Sequence, residues 1–116
     1  MPAAKKKSAI PAEALALYEK LIATNAEIER KGDLHPYTSQ NGHMFTCLDP
    51  TGTMGMLLPY SEVEAFLAKY KTVPFVSYGE VKKDWVTVPA ALLKNTNELK
   101  RYLEMSFAHA KTVKPK

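Results

Sequence analysis

Cys47 and His43 are the side chains of this 116-residue chain best suited to nucleophilic chemistry, because an imidazole beside a thiol can take its proton. They stand four positions apart in His43-Met44-Phe45-Thr46-Cys47, a stretch that reads as a β-strand. Side chains at that separation on a strand share a face but lie roughly 13 Å apart, so the spacing predicts no dyad. A second imidazole, His35, pairs with Leu48 in the register set out below and is expected to face away from Cys47. Cys47 then reads as a small core residue. It is the single cysteine of the chain and has no partner for an internal disulfide.

Other chemistries find less support. His35, His43 and His109 fall in three different predicted elements without ligand-like spacing, and one cysteine makes no zinc pattern. The five glycines are scattered at turns, and neither phosphate-binding glycine pattern occurs. Carboxylates pair only as Glu13/Glu19, Glu27/Glu29 and Glu62/Glu64, on predicted helices whose solvated faces account for them. No metal and no cofactor is therefore expected. One run, Glu80 to Trp85 (EVKKDW), gathers charge around the single tryptophan. A tryptophan beside lysines can stack a base, but one in such a place more often plugs a sheet edge. Tyr78, Lys82, Lys83 and Trp85 are the binding candidates there.

The elements that must position these residues follow from spacing. Pro11 opens a helix, since a first-turn position needs no N–H. Leu15, Tyr18, Leu21, Ile22 and Ile28 recur at helical steps, and Gly32 is the expected stop, so the helix is predicted over about 11–31. Asn41-Gly42 marks a type I′ hairpin turn, and Asp49-Pro50-Thr51-Gly52 fits a type I turn. Strands near 34–40, 43–48 and 53–58 then form a meander, with Pro36 placing the first at an edge or delaying its start. Ser61 and Glu64 form a capping box for a helix over about 62–70. Strands over 73–78 and 84–88 turn at Gly79, and Asn95 with Glu98 caps a last helix whose inner face holds Leu99, Leu103, Phe107 and Ala110. Short connections imply antiparallel pairing throughout. The fold class is α+β, a two-layer sandwich of helices on a five-stranded antiparallel sheet.

Tight turns also fix a register. They set Thr38 opposite Phe45, Leu48 opposite Thr53, and Phe45 opposite Met56. Alternation then puts Phe45, Cys47, Met54, Met56 and Leu58 on a core face. Tyr37, Met44, Leu48 and Leu57 fall on a second face that is too apolar for open water, and Met44, Leu48 and Leu57 are its interface candidates.

The formal charge of +4 is unevenly distributed. Lys5, Lys6 and Lys7 near the start, with Lys111, Lys114 and Lys116 near the end, leave ten basic against twelve acidic side chains between them. The folded body is thus not expected to grip phosphates. The expected organisation is a basic tail at 1–10, one domain at 11–112 and a basic tail at 113–116. No apolar run approaches the roughly 20 residues that span a bilayer. No apolar stretch follows the first lysines as in a secretory signal. A cytoplasmic setting without membrane association is the expectation.

Residues 41–59 (NGHMFTCLDPTGTMGMLLP), with SEVEAFLAKYKT after them and VKKDWVTVP at 81–89, resemble the N-terminal domain of the TfoX/Sxy family. The likeness runs from about residue 12 to residue 112. It rests on the Asn-Gly hairpin, His43-Met44-Phe45, the strand entering Leu58-Pro59 and the strand closing on Val88-Pro89. The resemblance implies a fold like that of the type III secretion chaperones, α-β(3)-α-β(2)-α in two layers, and it supplies no catalytic residues. Family members include a regulator of natural competence acting with the cyclic-AMP receptor protein at promoters. Where the family usually carries Met-Phe-Gly-Gly on its first strand, this chain has His35-Pro36-Tyr37-Thr38-Ser39-Gln40.

The leading expectation is a small binding or regulatory module without a catalytic site, acting through protein contacts as a homodimer or with another protein. A small-molecule enzyme with a pocket between the last helix and the sheet, lined by Tyr37, His43 and Trp85, is the alternative. A weak nucleic-acid binder working through its lysine tails is the third.

Overall fold

The computed structural model describes residues 10–32, 35–77 and 80–113. Tyr78, the turn glycine Gly79 and most of both basic tails lie outside the described residues. The chain runs α1 (Ala12–Ile22), β1 (Tyr37–Gln40), β2 (His43–Leu48), β3 (Met54–Leu57), α2 (Tyr60–Tyr70), β4 (Pro74–Ser77), β5 (Glu80–Val88), α3 (Ala90–Leu93) and α4 (Thr96–Thr112). The five strands form one antiparallel sheet in the order β1-β2-β3-β5-β4. This is the α+β architecture expected, with one added helical turn, α3, begun by Pro89.

The first helix is half as long as its apolar spacing suggested. It ends at Ile22, where the Thr24 hydroxyl donates to the Leu21 carbonyl at 2.7 Å and Asn25 Oδ1 accepts from the Glu27 N–H at 2.9 Å. These local bonds offer the backbone an alternative to the helical ladder. Ile28 still reaches the core, and Gly32 has its positive φ in the bend that follows rather than at a helix stop. The second helix starts at Tyr60, two residues early, because Pro59 has a near-helical φ and its carbonyl accepts from Glu62 N–H at 2.8 Å. Ser61 thus falls inside the first turn, and the capping box does not form. Asn95 does cap α4, accepting from Glu98 N–H at 3.3 Å.

Two local features overturn the expected register. Asn41 and Gly42 both have positive φ, as a type I′ turn requires. Gln40 faces His43 and Ser39 faces Met44, but Thr38 faces Thr46. Phe45 is the extra residue of a β-bulge, and a bulge reverses which side later residues face. At the next turn Gly52, at φ 88, adds a third loop residue. The flanking pair becomes Asp49 and Thr53, and Leu48 faces Met54 rather than Thr53. Phe45 and Thr46 consequently both point at the helices. The Phe45 ring lies 5.6 Å from that of Phe107 on α4, and Thr46 Oγ1 lies 2.8 Å from the Tyr18 hydroxyl of α1. Thr38 Oγ1 completes that buried chain at 2.7 Å from Thr46 Oγ1.

Helices α1, α2 and α4 cover one face of the sheet. Tyr18, Leu21, Phe45, Leu48, Met54, Met56, Phe66, Val86, Leu99 and Leu103 fill the space between the layers. The Phe66 ring of α2 meets Tyr102 of α4 edge-on at 5.0 Å, and the Tyr70 hydroxyl donates to the Glu98 carboxylate, tying the two helices together. Leu48, expected at an interface, is therefore a core residue at 2% exposure, and Cys47 has moved to the opposite side.

At the outer edge of β1, Lys31 and Tyr37 exchange N–H···O bonds of 2.8 and 3.0 Å, and Lys31 Nζ donates to Ser39 Oγ at 3.0 Å. Its own chain thus occupies this edge at the Tyr37 end. The β4 edge has no neighbouring strand among the described residues.

Candidate functional site

The sheet face away from the helices carries a cleft of about 390 Å³ lined by Pro36, Tyr37, Met44, Cys47, Phe75 and Val76, with His35, Asp49 and Pro50 among its other residues. Each wall follows from a local cause. The bulge at Phe45 turns Cys47 outward. The missing side chain of Gly55 lets the Phe75 ring lie across the sheet, since a Cβ there would stand 2.7 Å from that ring. The Trp85 ring packs against it at a tilt, with centroids 6.0 Å apart.

Few of the polar groups in this cleft are poised to react. Burial foremost pushes the Cys47 thiol from its ordinary 9.0 up to about 11, with Asp49 adding to the rise. The backbone of Gly55 and the Lys82 ammonium pull the other way without reversing it. The sulfur is therefore a neutral thiol near neutral pH, and a neutral thiol is a poor nucleophile. Asp49 Oδ1 accepts from Thr51 N–H at 2.9 Å, Thr51 Oγ1 at 2.6 Å and Thr53 N–H at 2.9 Å. That oxygen builds the turn. Among the described residues no group of three His, Cys, Asp or Glu side chains is placed to hold a metal ion.

The sequence candidates are dispersed. His35, expected opposite Cys47, lines the same cleft because the bulge moved the cysteine. His43 lies outside it, and Trp85 is a supporting residue rather than a lining one. Of Tyr37, His43 and Trp85, expected together in a pocket between the last helix and the sheet, this cleft on the other face is lined by Tyr37 alone. Glu80 to Trp85 lies within β5 rather than beside it, with Lys82 and Lys83 exposed. Leu57 pairs with Trp85 and is 6% exposed, too covered for the interface role expected of it, whereas Met44 stays open.

A second groove of about 310 Å³ runs between α2 and the β4–β5 strands, lined by Tyr60, Glu64, Leu67, Pro74, Val81 and Lys83. Among the described residues, the large apolar side chains most open to solvent are Met44 (45%), Tyr60 (72%), Val73 (60%), Val76 (53%) and Val81 (61%). Met44 and Val76 border the outer cleft, Tyr60 and Val81 border the second groove, and Val73 directly precedes Pro74. Phe75 and Val76 escaped the sequence reading. The signal that could have found them is the stretch 72–79, TVPFVSYG, which holds no charged residue.

No helix among the described residues is long and apolar enough to cross a membrane. No family model matches the chain, nor does any curated protein or any solved structure. The TfoX/Sxy resemblance is accordingly carried by the quoted segments alone.

Proposed function

We propose that this protein is a non-catalytic binding module that takes an apolar segment of another protein along the β4–β5 side of its sheet. The observation carrying this reading is the gathering of open large apolar side chains around two grooves that both reach β4. Contiguous exposed apolar surface is characteristic of interaction sites. Support for a non-catalytic role comes from the cleft's own polar groups, a neutral thiol and a carboxylate oxygen spent on its turn. A regulatory role like that of the competence regulator would suit such a module and rests on the resemblance alone.

Panning a random peptide library against the immobilised protein tests the reading. Apolar-rich sequences should be enriched and should lose binding to a Met44→Lys/Val76→Lys variant whose circular dichroism is unchanged. Enriched peptides that bind the variant equally well, or no enrichment over bare support, would overturn it.

A further inference from the structure

The turn between β1 and β2 carries a chemistry that the outer cleft lacks. Asn41 is half-buried there and Gly42 exposed. The Asn41 side chain reaches away from its own hairpin to the end of α4. Its Nδ2 donates to the Lys111 carbonyl at 3.0 Å and to the Val113 carbonyl at 3.4 Å. Of the two ends of a carboxamide only the nitrogen can meet carbonyl oxygens, because the other has no hydrogen to give. The last carbonyls of a helix have no partners within it. This one amide therefore ties down the end of α4 from 70 residues away in sequence.

An asparagine followed by glycine is also a reactive pair. The backbone nitrogen of the second residue can attack the side-chain carbonyl carbon of the first. Glycine has no Cβ to shield that nitrogen or to restrict the rotation the attack needs. In a four-residue turn the closing bond joins the first and last residues. Here those are Gln40 and His43, which leaves the Gly42 N–H outside the bond. The Gly42 nitrogen bonds to Asn41 Cγ, the Cγ–Nδ2 bond breaks, and ammonia leaves with the proton that the glycine nitrogen gives up. Water then opens the cyclic imide at one carbonyl or the other, leaving aspartate or isoaspartate.

The atom expelled is the one that holds α4. The carboxylate in its place accepts hydrogen bonds and donates none, and it faces carbonyl oxygens at the negative end of the helix. His109 and Lys111 are the basic side chains of that last turn. Lys111 is already engaged, with Nζ 4.3 Å from the Phe107 ring centre and 3.7 Å from Glu27 Oε1. Isoaspartate also lengthens the backbone of a turn whose size sets Ser39 opposite Met44.

We infer that Asn41 is a deamidation site and that its conversion releases the last turn of α4 from the β1–β2 hairpin. This is independent of the binding reading above. The other asparagines, Asn25, Asn95 and Asn97, precede Ala26, Thr96 and Glu98, whose side chains crowd the attacking nitrogen.

Ageing the purified protein at body temperature and mildly alkaline pH, followed by peptide mapping in a mass spectrometer, tests the site. The peptide holding Asn41 should gain the mass difference between an amide and an acid sooner than those holding the other three asparagines. Hydrogen exchange tests the release. The amides of Lys111, Thr112 and Val113 should exchange about fivefold faster, the worth of one ordinary hydrogen bond, in the aged fraction and in an Asn41→Asp variant. Those of Leu99 and Leu103, nearer the start of α4, should keep their rates. No conversion at Asn41, or conversion no faster than at Asn25, Asn95 or Asn97, would overturn the site. Unchanged exchange at Lys111 to Val113 in the aged fraction, or equal quickening at Leu99 and Leu103, would overturn the release. The aged fraction decides the matter if Asn41→Asp does not fold.

Discussion

Gly55 works at the scale of a single hydrogen atom. Its backbone would tolerate any residue, yet a Cβ there would stand 2.7 Å from the Phe75 ring. Gly55→Ala should therefore destabilise the fold by about 1–3 kcal/mol, as overpacking does. A lowered urea midpoint checks this, and adding Phe75→Leu should recover part of the loss. Glycine in a strand could be seen in the sequence, but its reason could not, because Phe75 is twenty residues away and reaches Gly55 only through β5. The bulge at Phe45 was equally hidden. Local alternation around His43-Met44-Phe45-Thr46-Cys47 is satisfied by a regular strand, and only the buried Thr38–Thr46–Tyr18 hydroxyl chain gives the extra residue its place. One unread residue exchanged Leu48 and Cys47 between core and surface.

Among the elements, those marked by backbone chemistry were legible. Asn41-Gly42 turned as its positive φ demands, Pro36 delayed an edge strand, and Asn95 capped its helix. Elements defined by competition were not. Apolar spacing carried α1 onward to Lys31, whereas Thr24 and Asn25 diverted the backbone, and Pro59 pre-empted Ser61 as the start of α2. The two caps therefore separate by mutation. Asn95→Ala should cost about 1 kcal/mol, the usual worth of an N-cap bond. Ser61→Ala should stay within about 0.5 kcal/mol, as at an ordinary surface position. Thermal unfolding of both variants reads the difference. The candidate site sat between these cases: Tyr37 and Met44 were foreseen on the open face, while Phe75 and Val76 depended on how β4 lies beside β5.

The whole molecule should respond to alkali in a defined direction. Burial raises the Cys47 thiol from 9.0 to about 11. It is also the leading cause raising the Tyr18 and Tyr70 phenols, and Glu98 and Tyr102 add to the rise at Tyr70. Such groups hold their protons longer folded than unfolded. Their contribution is intact below the unfolded pKa and is lost as pH rises through the folded one. For Cys47 that window runs from 9.0 to about 11. Denaturation midpoints should fall across it, and Cys47→Ala should flatten the cysteine's share of the slope while leaving the tyrosines' share, which sets in from 10.0.

The bonds between Lys31 and Tyr37 bear on what such a protein can become in quantity. Cross-β growth requires each unit to offer a margin on both sides, one to receive the previous unit and one to seed the next. Here the Tyr37 end of one margin is already occupied from within. Fibres would first have to peel Lys31 away.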